Sequence, residues 1–123
     1  MNFKIVLLIF FIISSLYAKE RGSEIIFEYK TNVNYFERYL INFKRKNEIL
    51  INGISLTNKE IENYAFELNL VRNFEHPKKI EECMQGEFRL HNKVEGKIIE
   101  TESGCLESSR YKVLMKAFTK LMK

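Results

Sequence analysis

The chain has 123 residues, a formal net charge of +4 and no tryptophan, and 46% of its residues are hydrophobic. This length is typical of one small domain with a modest hydrophobic core. The positive charge is too mild to indicate a nucleic-acid-binding surface, which would show a much stronger basic excess.

The first 18 residues have the three parts of a secretory signal peptide. Lys4 supplies a basic start, residues 5–13 form an unbroken apolar run, and Ala18 is a small residue at the expected cleavage point. The run is too short to cross a bilayer, which needs about 20 apolar residues. We therefore expect residues 1–18 to be a cleavable signal, residues 19–123 to form a single domain, and the location to be periplasmic or secreted.

The two cysteines, Cys83 and Cys105, stand 22 residues apart. Their spacing matches neither a catalytic Cys-x-x-Cys pair nor a zinc site, and outside the cytoplasm such a pair oxidises and persists. A turn-like segment, residues 92–96, lies midway between two strand-like stretches. A hairpin folded at that turn brings Cys83 opposite Cys105, so the sequence predicts a disulfide that closes the hairpin.

The first half of the domain has the alternation of an antiparallel sheet. Residues 24–30 place Ile25, Phe27 and Tyr29 on one face, which predicts a half-buried strand. Residues 48–51 and 54–56 predict two short strands, joined by Asn52-Gly53, the dipeptide that favours a type I′ turn.

Residues 35–44 can be interpreted in two ways. A strand places four apolar residues on one face with Glu37 as a misfit, whereas a helix aligns Val33, Phe36, Leu40 and Phe43. The many aromatic and β-branched residues favour the strand. The four strand-face residues are Tyr35, Tyr39, Ile41 and Phe43.

Two helices are predicted. Thr57 and Glu60 match a capping box, and the apolar spacing predicts a helix over residues 58–74. This helix has a second apolar stripe, Phe66, Leu70 and Phe74, which is either covered by the core or presented to a partner. Residues 66–70 also alternate like a strand.

The last helix begins after a cap at Ser108 or Ser109 and has a continuous apolar stripe. Lysines occupy another face, which is typical of a solvated stripe and, less often, of a membrane-surface helix. The stripe consists of Tyr111, Leu114, Met115, Phe118, Leu121 and Met122, and the lysines are Lys112, Lys116, Lys120 and Lys123.

Together these patterns predict an α+β fold. A small antiparallel sheet, made of a meander and a disulfide-closed hairpin, carries two helices packed on one face. The order of the strands does not follow from the patterns.

No motif indicates a chemistry. His76 and His91 are isolated in sequence from any nucleophile, no group of residues has metal-ligand spacing, and the glycines are dispersed. We therefore expect no catalytic residues, no metal and no cofactor. Glutamates cluster around the cysteine segment, but a small chain without tryptophan is a poor candidate for a sugar cleft, so a solvated acidic hairpin is favoured.

The favoured function is that of an exported, disulfide-stabilised domain that binds another envelope or secreted protein, as an inhibitor, an immunity-type protein or an envelope accessory protein. The stripe of Phe66, Leu70 and Phe74, or the basic corner of Lys44, Arg45 and Lys46, would carry the contact.

Two alternatives remain. A small divergent envelope hydrolase requires a cleft that gathers His76 or His91 with two hairpin glutamates. A peripheral protein would use the lysine face of the last helix on a membrane surface, which is less favoured. Nucleic acid is not an expected partner.

Overall fold

The structure is a computed structural model that describes residues 22–45, 47–75 and 82–122. The predicted signal, residues 1–18, lies outside these ranges. Within them, no helix is both long and apolar enough to cross a membrane. The described residues form these elements in chain order: β1 (Ser23–Thr31), β2 (Phe36–Arg45), β3 (Glu48–Ile51), β4 (Ile54–Ser55), α1 (Asn58–Asn63), α2 (Ala65–Arg72), β5 (Gly86–Val94), β6 (Lys97–Cys105) and α3 (Ser109–Leu121).

The sheet is antiparallel throughout and has the strand order β4-β3-β2-β1-β5-β6. The meander β1–β4 and the hairpin β5–β6 are joined by the pairing of β1 with β5. The predicted α+β fold is therefore confirmed. The strand order, which the sequence patterns left open, places β1 at the centre.

The alternation of β1 puts three apolar residues on the face that the helices cover, whereas Ile26 is buried on the opposite face. Ile25, Phe27 and Tyr29 are buried there, and Phe27 stacks on Phe118 of α3 with ring centroids 4.6 Å apart. Residues 36–45 form a strand that pairs with both β1 and β3, so the strand interpretation of this segment is confirmed and the helical one is wrong.

The β3–β4 and β5–β6 turns both contain residues with positive φ. Asn52 and Gly53 have φ of 48° and 84°, as the predicted type I′ turn requires. The β5–β6 turn is narrower than the predicted segment of residues 92–96: only Glu95 and Gly96 form it, with φ of 52° and 78°.

The disulfide between Cys83 and Cys105 is confirmed, with the two Cα atoms 5.1 Å apart. The predicted register is wrong, because the ladder pairs Glu87 with Cys105. Cys83 instead reaches Cys105 from the loop that precedes β5. Gly86 begins that strand with φ of 135°, and a Cβ atom there would lie 2.1 Å from the carbonyl oxygen of Lys30, so only glycine fits.

The first predicted helix is two helices. The Thr57–Glu60 capping box is present at the start of α1. The segment then breaks at Tyr64, which has φ −103° and ψ 15°, and α2 ends at Arg72 instead of residue 74. Tyr64 is neither glycine nor proline, so the sequence carries no signal for the break.

Helices α2 and α3 pack on the same face of the sheet. Ser108 caps α3 by accepting a hydrogen bond from the backbone nitrogen of Tyr111 at 3.2 Å. The buried residues of α2 include Leu68 and Val71, whereas α1 contributes none. On α3 the buried residues are Leu114, Ala117, Phe118 and Leu121, and all but Ala117 belong to the predicted stripe.

A buried ion pair ties the end of α2 to the sheet and to α3. Arg110 Nε lies 2.8 Å from Glu102 Oε2, and Arg110 Nη2 donates to the carbonyl oxygen of Asn73 at 2.6 Å. The backbone nitrogen of Glu75 donates to Glu102 Oε1 at 2.9 Å. Glu102 is only 3% exposed, so these contacts compensate a charge that burial would otherwise disfavour strongly.

Candidate functional site

The residues predicted to bind a partner do not form one surface. Phe66 is 73% exposed, but Leu70 and Phe74 are half-buried and pack against the core. Lys44 and Arg45 are exposed at the end of β2, and Lys46 lies outside the described residues. The second apolar stripe is therefore mostly core, and one isolated phenylalanine remains on the surface.

Exposed apolar side chains concentrate instead at one end of the sheet. Val33, Tyr35 and Phe36 lie in or beside the β1–β2 turn, and Met84 lies in the loop before β5. Val33 and Met84 are 85% and 83% exposed. We call these four residues the tip. The other large exposed apolar residues of the described ranges are spread over other elements: Ile54, Phe66, Ile98, Ile99 and Val113.

Asn32 holds the two parts of the tip side by side. Its backbone nitrogen donates to the carbonyl oxygen of Gln85 at 3.1 Å, and its side-chain nitrogen donates to the carbonyl oxygen of Met84. The turn itself is closed by Thr31, whose hydroxyl oxygen accepts a hydrogen bond from the backbone nitrogen of Tyr35 at 3.1 Å. The apolar side chains thus stand on hydrogen-bonded loops.

The Met84 loop is fixed from its other side as well. The carboxylate of Glu107 accepts hydrogen bonds from the backbone nitrogens of Met84 at 3.1 Å and Gln85 at 2.9 Å. Cys83, one residue earlier, is bonded to Cys105. The disulfide therefore anchors the loop that carries Met84.

An open depression of about 500 Å³ adjoins the tip. Phe36 and Cys83 are part of its lining. Its charged residues come from strand positions that alternate with the buried core residues, so they lie on the face away from the helices. The β1–β5 ladder places residues of opposite charge side by side, Glu28 beside Arg89 and Lys30 beside Glu87. Because these charges balance, the depression has no net preference for an anionic ligand.

Glu37, the misfit of the predicted strand, lies on the helix-facing side behind the tip. The hydroxyls of Tyr29 and Tyr35 both donate to its Oε2 atom, the latter at 3.2 Å. The hydrogen bond from Tyr29 is the main cause that lowers the pKa of Glu37 below its ordinary value, against the opposing effect of burial. The carboxylate is therefore ionised at neutral pH.

Burial raises the pKa values of the tyrosines around this carboxylate. The pKa of Tyr39 rises to about 12, through burial first and then through hydrogen bonding to Glu37. The pKa values of Tyr29 and Tyr111 are also raised, in both cases chiefly by burial. These phenols remain protonated at neutral pH, so they act as hydrogen-bond donors and not as bases.

His91, the described histidine of the hydrolase alternative, is not part of the lining of the depression. His91 pairs with Thr101 at 3.0 Å, and burial lowers the pKa of its imidazole. Two of the carboxylates around the cysteine segment have other partners, Glu102 with Arg110 and Glu107 with loop amides. The predicted His76 lies outside the described ranges.

The one group with metal-ligand spacing in the described ranges is not a metal site. Ligand atoms of Cys83, Cys105 and Glu107 lie within 4.8 Å of one another. Both sulfur atoms belong to the disulfide, however, and a metal requires thiolates.

The predicted lysine face of α3 is only partly available to a membrane surface. Lys112 and Lys116 are exposed, whereas Lys120 lies 2.7 Å from the buried carboxylate of Glu67. Lys123 lies outside the described residues.

Comparisons with protein-family models, with characterised proteins and with solved structures found no match. A functional argument therefore depends on the surface itself. The sequence did contain one signal for the tip, because three large apolar residues, Val33, Tyr35 and Phe36, stand in or beside a turn where polar residues are usual. Met84 gave no such signal.

Proposed function

We propose that this chain is an exported, disulfide-stabilised domain that binds another envelope or secreted protein through the tip, in the manner of an inhibitor, an immunity-type protein or an envelope accessory protein. The observation that carries the proposal is the concentration of Val33, Tyr35, Phe36 and Met84 at one end of the sheet. Single exposed apolar residues are normal on a protein surface, but four of them on two loops that hydrogen bonds hold side by side indicate an interaction site.

The residue types of the tip suit a protein partner. Aromatic residues and methionine are enriched at the centres of protein interfaces. Removing exposed valine and methionine side chains from water lowers the free energy of the complex. The depression beside Phe36 adds a rim of paired charges, which resembles the polar border of such interfaces.

The tip is also held in place before any partner arrives. Asn32 joins the two loops by hydrogen bonding, and Glu107 and the disulfide hold the loop of Met84. Binding by preorganised loops avoids much of the conformational entropy that ordering a mobile loop would cost. A disulfide is compatible with an extracellular or periplasmic location, which supports the export part of the proposal.

The test compares tip variants with a matched variant elsewhere. Tagged protein with Val33→Ser, Phe36→Ser and Met84→Ser, and separately protein with Phe66→Ser, is expressed for export in its own host and recovered gently with bound proteins. Phe66 is a fair control because it is as apolar and even more exposed than Phe36, and lies on α2.

We expect one protein to be recovered with the unchanged chain and with the Phe66→Ser variant, and to be depleted at least about tenfold with the tip variant. Intact masses and melting temperatures confirm that all three proteins are folded and oxidised. Equal recovery with the tip variant would disprove binding through the tip, and loss only with Phe66→Ser would assign the contact to α2.

A further inference from the structure

Glu37 is a half-buried carboxylate that differs from Glu28 and Glu67 in its partners. Glu28 lies 3.7 Å from Arg38, and Glu67 lies 2.7 Å from Lys120. For Glu37, no lysine, arginine or histidine of the described ranges lies within ion-pair distance. Among the described residues, its carboxylate accepts hydrogen bonds from tyrosine hydroxyls, beside the exposed ring of Tyr35.

We propose that Glu37 and the tyrosines around it form a site for a cationic group with N–H donors, a lysine ammonium or an arginine guanidinium, on the partner protein that the tip contacts. This inference rests on the proposed function, because it names the chemistry of the residue that the partner places beside the tip. Tyr35 belongs to both sites, which makes them continuous.

The arrangement supplies the acceptors that such a cation needs. The hydroxyls of Tyr29 and Tyr35 both donate to Glu37, and the phenol oxygen of the exposed Tyr35 keeps lone pairs that can accept an N–H. The two rings lie 6.0 Å apart between centroids. Their carbon atoms exclude part of the water around the carboxylate, and lower local polarity strengthens an ion pair.

The same chemistry favours a cation with N–H donors over other ligands. An anion would be repelled by the fixed carboxylate, and a neutral amide would form hydrogen bonds without the charge attraction. A quaternary ammonium ion would be attracted by the carboxylate and by the tyrosine ring faces, but it has no N–H donor and would leave the phenol oxygen of Tyr35 without a new partner. An arginine, whose planar fork can engage a carboxylate, is the best fit.

The experiment uses short peptides as probes of the full mature protein. The acetylated and amidated tripeptide Leu-Arg-Leu is compared with the same peptide carrying citrulline, which has the shape of arginine without its charge. Binding is followed by NMR, through the side-chain carboxyl carbon of Glu37 and the amides of the tip. Tetramethylammonium chloride serves as a cation without N–H groups.

We expect the arginine peptide to bind about five- to tenfold more tightly than the citrulline peptide and to shift the Glu37 carboxyl signal. The preference should disappear in Glu37→Gln and persist in Glu28→Gln, a control carboxylate on the opposite face of the sheet. It should also weaken as salt rises from about 0.02 M to about 0.5 M. The salt series and the carboxyl signal need no variant, so a folding defect in Glu37→Gln would not prevent the test.

Equal affinity for both peptides, with shifts confined to the tip, would overturn the cation site and leave tip binding in place. An equal shift of the Glu37 carboxyl signal by tetramethylammonium would also overturn it, because N–H donors would then be irrelevant. If the arginine peptide shifts Glu37 while the tip variant still captures the host partner, the cation site stands and the proposed function fails.

Discussion

Removing the disulfide should lower the free energy of unfolding without abolishing the fold. In the double variant Cys83→Ser, Cys105→Ser, the unfolded chain regains the freedom of a loop of 22 residues. Loop-closure entropy for that length corresponds to about 3 kcal/mol. A domain of this size has a total stability of about 5–15 kcal/mol, so most molecules should stay folded at 25 °C.

Urea unfolding, followed by circular dichroism, measures the change. With a slope of about 1.5 kcal/mol per molar urea, the midpoint should fall by about 2 M while the slope stays the same. The unchanged protein in a reducing agent is the matched control, and it should show the same fall because it loses the same constraint.

A midpoint that moves by less than about 0.5 M would refute this reasoning. The unfolded chain would then already be restrained, for example by residual hairpin structure, and the entropic account would not hold. Partner capture gives a second readout. If capture through the tip is lost while the midpoint is unchanged, the disulfide acts locally on the Met84 loop and not on the unfolded chain.

Three further predictions follow from buried groups. Arg110→Met should destabilise the protein by about 3–5 kcal/mol in urea unfolding at pH 7, because it leaves Glu102 buried and uncompensated, and adding Glu102→Leu should recover most of the loss. Lys120 lowers the pKa of Glu67, so this carboxylate stabilises the fold above its unfolded pKa of about 4.3. That contribution is lost as pH falls through the lower folded pKa, and the acid-induced loss of stability should be shallower in Glu67→Gln. Gly86→Ala should prevent normal pairing of β5 with β1 and appear as a large fall in melting temperature, whereas Gly53→Ala, with open space around it, should cost about 1 kcal/mol.

Features that depend on a few neighbouring residues were predictable from the sequence. The Asn52-Gly53 turn, the Thr57 capping box and the Ser108 cap each form through contacts within about four residues. The alternation of β1 identified Ile25, Phe27 and Tyr29 as core residues, because one face of the sheet is covered by helices and the period of a strand is two.

Two features were not predictable because the residue types at those positions do not signal them. The Cys83–Cys105 disulfide followed from the cysteine count, but the register of the β5–β6 hairpin did not. That register depends on a positive φ at Glu95, and glutamate is not a residue type that favours positive φ. The break at Tyr64 has no local signal either. Export and partner binding remain predictions.

The location of the tip depends on a single non-local choice, the pairing of β1 with β5. That pairing places Thr31 opposite Gly86, so the turn after β1 and the loop before β5 must meet, although Asn32 and Met84 are 52 positions apart in sequence. Strand alternation could not identify β5 as the neighbour of β1, because other strands alternate similarly.

The sequence nevertheless contained two exceptions to local rules at this end of the sheet: apolar residues in or beside a turn, and the charged Glu37 on an apolar face. Exceptions to local rules are expected at positions where residues contribute to function as well as to folding. Their occurrence at the same end of the sheet is the strongest reason to begin experiments there.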